Sequence, residues 1–118
     1  MAKAATIVFA DTDSAEGLGR VVNALTTAKE FKETGDEGRV IFDGAGTKWV
    51  AELSAEDHKY HWLFEDVRDQ VEGACAYCAK AFGVKDEVEK EGVELLGDYE
   101  GHPSIHGLIV EGYEVVTF

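Results

Sequence analysis

Positive charge is scarce in this chain. Eleven lysines and arginines stand against 24 aspartates and glutamates, a formal net charge of −13. Such a surface repels phosphate backbones and anionic lipids, which sets aside nucleic-acid and membrane-surface binding. Long apolar runs are missing too, and none approaches the roughly 20 residues needed to span a bilayer. Cysteine is scarce as well: Cys75 and Cys78 are the only two. Cysteines three apart would close only a tiny loop, and no signal peptide precedes them, so a disulfide scaffold is not expected. There is no internal repeat, linker or low-complexity stretch. The expectation is a soluble, intracellular protein with one domain over residues 1–118.

With 45% hydrophobic residues, a chain of this length can bury about two thirds of its unfolded surface in one core. Its carboxylates are spread out (Asp11, Glu16, Asp36, Glu56, Asp69, Glu87, Glu100). That spread fits the solvated acidic surface of a halophile better than a tail that docks to a basic partner, which would form a block.

Strand and helix signals alternate. Thr6 to Ala10 is a β-branched and aromatic run without polar alternation, as in a parallel strand buried on both faces. Asp13 with Glu16 three residues on reads as a capping box. Leu18, Val21, Val22, Leu25 and Ala28 follow at helical spacing up to Gly35. Gly38 to Asp43 is a second strand. Trp49, Val50 and Leu53 suggest a short helix, and Leu63, Phe64, Val67 and Val71 a stronger stripe from about Glu56. Glu72 to Tyr77 is ambiguous by periodicity and is read as strand three because it lies between helical stretches. Lys85 to Gly92 reads as an acidic helix and Val93 to Gly97 as strand four. Ser104 to Glu111 reads as a helix with Ile105, Leu108 and Ile109 inward, and Tyr113 to Phe118 as a closing strand. Five strands with helical crossovers imply a layered, mostly parallel α/β sheet. Trp49, Tyr60 and Trp62 are expected in the core or a subunit interface.

Ligands and reactive groups gather at the carboxyl ends of such strands. Here those ends are Asp11 and Thr12, Asp43 to Gly46, Cys75 to Cys78, and Gly97 to Tyr99. Only the third set contains a nucleophile. A thiol there would meet the free N–H groups of the next helix, which stabilise a thiolate, with Lys80 able to assist. The acidic surroundings act in the opposite sense. On residue chemistry alone, Cys75 between Ala74 and Ala76 is equally a small buried core residue.

Gly44 and Gly46 before a helix have the look of a phosphate cradle. They lack the third glycine and the Lys-Ser/Thr pair, so a plain turn is the better reading. Cys75, Cys78, His102 and His106 together make C-x2-C…H-x3-H, the outline of a zinc site. The gap of 23 residues is long for a finger, would hold a helix and a strand, and is followed by Pro103 between the histidines. His102 and His106 are therefore read as surface or ligand-gating histidines near the cleft, and His58 and His61 as solvated helix residues.

The stretch Cys75-Ala-Tyr-Cys-Ala-Lys-Ala-Phe-Gly83-Val84 resembles the DsrE/DsrF-like family of small sulfur-relay proteins, which includes the TusD-type subunits. In that family the active cysteine stands eight residues before a glycine followed by an aliphatic residue. Cys75 meets this spacing and Cys78 does not. The opening Ile7-Val-Phe-Ala-Asp11 strand, the long first helix and the Glu111-Gly-Tyr-Glu-Val115 segment extend the likeness over nearly the whole chain. The resemblance implies a three-layer, flavodoxin-like sandwich around a five-stranded sheet, assembled as a cytoplasmic homo-oligomer. It implies that Cys75 accepts sulfane sulfur as a persulfide and passes it between donor and acceptor proteins or small thiols, without a cofactor. Cys78 departs from the pattern: it is either a candidate second thiol, able to resolve the persulfide as a disulfide, or equally an inert helix residue. The alternatives are a non-catalytic oligomeric module for a small ligand, and a Cys/His metal site.

Overall fold

The computed structural model describes residues 1–118. Its five strands are β1 (Lys3–Val8), β2 (Glu37–Phe42), β3 (Val71–Cys75), β4 (Leu95–Leu96) and β5 (Glu114–Thr117). They form one sheet in the order β4-β3-β2-β1-β5, with every pair parallel. Six α-helices accompany them: α1 (Ala15–Thr34), α2 (Trp49–Ser54), α3 (His61–Val67), α4 (Ala76–Ala81), α5 (Lys85–Lys90) and α6 (Ile105–Val110). The result is a flavodoxin-like three-layer α/β sandwich. No helix is long and apolar enough to cross a membrane.

Side chains alternate across a strand, and the core divides accordingly. Val8, Val40 and Phe42 point into the larger cluster, where Val21, Leu25 and Ala28 of α1 meet Trp49, Val50, Leu53, Leu63, Phe64 and Val67. Ile7 and Ile41 point the other way, into a small cluster closed by Leu108 of α6 and by Tyr113. One face of the sheet thus carries five helices and the other only α6. That imbalance corrects the expectation for α6. Leu108 is buried, but Ile105 and Ile109 are exposed, because no neighbouring helix exists to cover them.

Other boundaries move for local reasons. The side chain of Ser14, not Asp13, caps α1 by accepting the Gly17 N–H at 3.0 Å. Asp11 is engaged elsewhere, paired with Lys48 at 2.6 Å, which holds its carboxyl below the usual range. Val71 belongs to β3 rather than to the α3 stripe, since a 3-10 turn over Arg68–Gln70 ends that helix. Of the three aromatics, Trp49 is core and donates its indole N–H to Ala10 O at 2.8 Å. Tyr60 packs partly against the core, and Trp62 is exposed. Strand β4 is reduced to two residues, although Glu94 O already accepts the Ala74 N–H at 2.9 Å.

Candidate functional site

Adjacent parallel strands end at the same edge, and this brings together groups that are far apart in sequence. Asp43 follows β2, Cys75 ends β3, Cys78 lies in the first turn of α4, and His102 follows β4. Each offers one donor atom, and the four atoms all lie within 4.8 Å of one another. Asp43 and Cys75 are buried, whereas Cys78 and His102 are half-buried.

Cys75 is the N-cap of α4, and its Sγ accepts the Cys78 N–H at 3.3 Å. His102 Nδ1 stands 3.3 Å from the same sulfur, and Gly101 O is 3.9 Å away. Burial pushes the Cys75 thiol up to about 12, and the negative charge of Asp43 adds to that rise. The Cys78 N–H draws it down, by less. The helix start therefore does not by itself hold a thiolate, and Lys80 stands exposed on α4 without an ion-pair partner.

A tight turn positions His102. Tyr99 and His102 exchange both backbone hydrogen bonds, at 2.8 and 2.7 Å. The two residues between them have positive φ, 51° at Glu100 and 83° at Gly101. This is the left-handed pair that a two-residue hairpin turn demands, and glycine at the second place meets it without strain. Gly101 O accepts the Tyr77 N–H at 2.9 Å, which docks the turn on α4. The His102 ring then stacks on Tyr77, with centroids 4.7 Å apart at 32°.

Asp43 holds its place through the next turn. It accepts the Gly44 N–H at 2.8 Å, capping the 3-10 segment Gly44–Lys48, while its own N–H donates to Val8 O at 2.9 Å. Gly44 and Gly46 thus build a turn. His106 stays out of the cluster, exposed beside Tyr99, Pro103 and Ile105. His58 and His61 are not simply solvated: both are half-buried and bonded to backbone. His58 Nδ1 accepts the Tyr60 N–H at 3.0 Å, and His61 Nδ1 lies 2.8 Å from Leu53 O. Neither cysteine lines the surface depressions beside the His102 turn, which are formed by residues such as Gly97, Tyr99, Pro103 and Ser104.

No family model matches the sequence. The uncharacterized protein MJ0733 of Methanocaldococcus jannaschii is 34% identical over 96 residues, 81% of this chain and 78% of that protein. The chain belongs to the family of MJ0733. Its fold is also that of the conserved protein of unknown function BT1422 from Bacteroides thetaiotaomicron. That structure matches with a TM-score of 0.68 at 20% identity, over 98% of this chain and 95% of the other. Neither name states an activity, and neither is that of the sulfur-relay family the sequence resembles.

The two thiols differ in a way alkylation can read. In reduced, chelator-treated protein, Cys78 is expected to react first with iodoacetamide, being the more accessible. Cys75 should stay protonated at neutral pH. Because its proton is held up to about 12 rather than released near 9, its rate should climb with pH through the alkaline range, about tenfold per unit. Over that range the unfolded chain ionises first, so folded stability should fall as pH rises above about 9. Peptide mapping of the alkylated protein checks this, and fast neutral labelling of Cys75 would contradict it.

Proposed function

We propose that the protein is a sulfur carrier, similar to the DsrE/DsrF-like relay proteins, that accepts sulfane sulfur on Cys75 and surrenders it to a partner thiol. The observation that carries this reading is the pairing of Cys75 Sγ with His102 Nδ1 at 3.3 Å. A buried thiol is a poor nucleophile until a base takes its proton, and an adjacent histidine is the usual means.

In the loading step, the Cys75 proton passes to His102 and the thiolate attacks the outer sulfur of a donor persulfide, R–S–SH. The donor S–S bond breaks, and RS⁻ leaves with the proton from His102. Cys75 then carries S–SH. Delivery is the reverse exchange, with an acceptor thiolate attacking the outer sulfur and Cys75 as leaving group. Cys78 sits one helical turn away and supplies a second exit. Its thiolate attacks the inner sulfur, expels HS⁻ and leaves a Cys75–Cys78 disulfide for a reducing thiol to open. The donor approaches from the side of Cys78 and His102, the half-buried members of the cluster.

Incubation of the reduced, metal-free protein with a low-molecular-weight persulfide, followed by intact and peptide mass spectra, tests the reading. One added sulfur atom on the Cys75 peptide, removable by reductant, is the expected result. An adduct confined to Cys78, or none, rejects Cys75 as carrier.

A further inference from the structure

The same four side chains also satisfy the requirements of a metal centre, and this inference stands without the sulfur-carrier reading. Thiolate, imidazole and carboxylate are all zinc ligands, and four protein donors close the coordination sphere. Zinc distances of about 2.3 Å to sulfur and about 2.0–2.2 Å to nitrogen and oxygen put tetrahedral ligand atoms roughly 3.3–3.8 Å apart. The cluster already spans no more than 4.8 Å, and Cys75 Sγ to His102 Nδ1 is already 3.3 Å. Closing the rest needs side-chain shifts of about 1 Å or less.

A second observation is the state of Asp43. It is 6% exposed, yet it takes part in none of the ion pairs of the molecule. Its carboxylate accepts one protein N–H, that of Gly44, and otherwise meets the Cys75 thiol. Buried carboxylates are ordinarily paired with a cation or bound to a metal, and here the groups facing Asp43 are two sulfurs and an imidazole. A third observation is the Cys78 N–H on Cys75 Sγ, the kind of outer hydrogen bond that orients a ligating thiolate.

We propose that Asp43, Cys75, Cys78 and His102 form a tetrahedral site for one thiophilic divalent cation of the zinc class. Soft thiolates select such an ion over magnesium or calcium. Binding releases the thiol protons and ties the Tyr99–His102 turn to the ends of β2 and β3. The set differs from the C-x2-C…H-x3-H outline in one member: Asp43 takes the place of His106. Metal and sulfane sulfur then compete for Cys75, so a bound ion holds the thiol out of exchange.

The test is titration of the reduced, metal-free chain with Co²⁺ as a spectroscopic probe, followed by displacement with Zn²⁺. The expected result is one cobalt per chain with tetrahedral d–d bands and thiolate-to-cobalt charge transfer, all lost on adding zinc. Asp43→Asn, which keeps an oxygen to cap Gly44, and His102→Gln should each weaken zinc by more than about 100-fold, beyond the 10–100-fold typical of outer-shell losses. His106→Ala should change nothing. Circular dichroism confirms that the variants are folded, and wild-type titration stands as the measurement if one is not. An octahedral cobalt spectrum, or zinc affinity unchanged in both Asp43→Asn and His102→Gln, would overturn the site and mark simple chelation by two cysteines. The readout contains no sulfur donor. A chain that binds cobalt tetrahedrally but takes no persulfide keeps this site and loses the carrier reading; the converse result does the opposite.

Discussion

Cys75→Ser is expected to abolish persulfide loading, and His102→Ala to slow it by about 10²–10⁴-fold, the usual worth of a positioned acid–base group. The serine variant removes the atom that forms the S–S bond while keeping nearly the same volume in a fully buried place, so the fold should survive. The histidine variant leaves the nucleophile but takes away the proton acceptor 3.3 Å from it. What remains is a thiol whose proton burial holds up to about 12, so very little of it is ionised at neutral pH. Rates of sulfur uptake, followed by mass spectrometry at several donor concentrations, separate the two variants. Two readouts distinguish a base from a merely structural histidine. Free imidazole should restore part of the rate in His102→Ala, and the loss should fall on the maximal rate rather than on donor binding. Undiminished loading in Cys75→Ser would end the carrier assignment. Undiminished loading in His102→Ala would move the proton acceptor elsewhere.

Gly46→Ala should be among the most disruptive single-methyl changes in the molecule. A Cβ at Gly46 would stand 2.0 Å from Val8 O and 2.7 Å from Val8 C, so backbone must move. Overpacking of this kind costs about 1–3 kcal/mol, and a clash against main chain belongs at or above the top of that range. The damage is directed, because Val8 O is also the acceptor for the Asp43 N–H. Displacing it loosens Asp43 and with it the end of β2 at the site. Gly19→Ala is the natural control. It lies inside α1, where an added methyl would find nothing within 4 Å, and a helix interior favours alanine by roughly 0.5–1 kcal/mol. Chemical denaturation should therefore show opposite shifts of midpoint for the two variants. A Gly46→Ala protein as stable as wild type would mean that the β1 and Asp43 backbones part without cost.

Much of the architecture was legible because it rests on short-range pattern. The apolar run at β1 identifies a parallel strand buried on both faces without reference to the rest of the chain. The stripe from Leu18 to Ala28 and the stop at Gly35 delimit α1 to within a few residues. The position of Cys75 at a strand end was legible too, although Glu72 to Tyr77 was ambiguous until its neighbours were assigned. Less legible was anything that depended on what lies opposite. Ile105 and Ile109 carry the period of a buried helix face, yet α6 is alone on its side of the sheet and leaves them exposed. Asp13 and Ser14 are both competent caps, and only the path of the chain through Asp11 and Gly17 selects Ser14.

The candidate site divides along the same line. By itself the sequence determined that two thiols stand at the end of β3, three residues apart, where the first turn of α4 directs an N–H at Cys75. That is a local consequence of strand followed by helix. The partners of those thiols are a matter of tertiary structure. Asp43 lies 32 positions before Cys75 and His102 lies 27 after it, and neither distance is encoded in a spacing rule. They meet because β2, β3 and β4 are adjacent and parallel, so their carboxyl ends share one edge. His102 rather than His106 turns inward because the Tyr99–His102 turn docks on Tyr77 before α6 begins. Periodicity reports which face of an element is apolar; which strand ends become neighbours is decided only when the sheet closes.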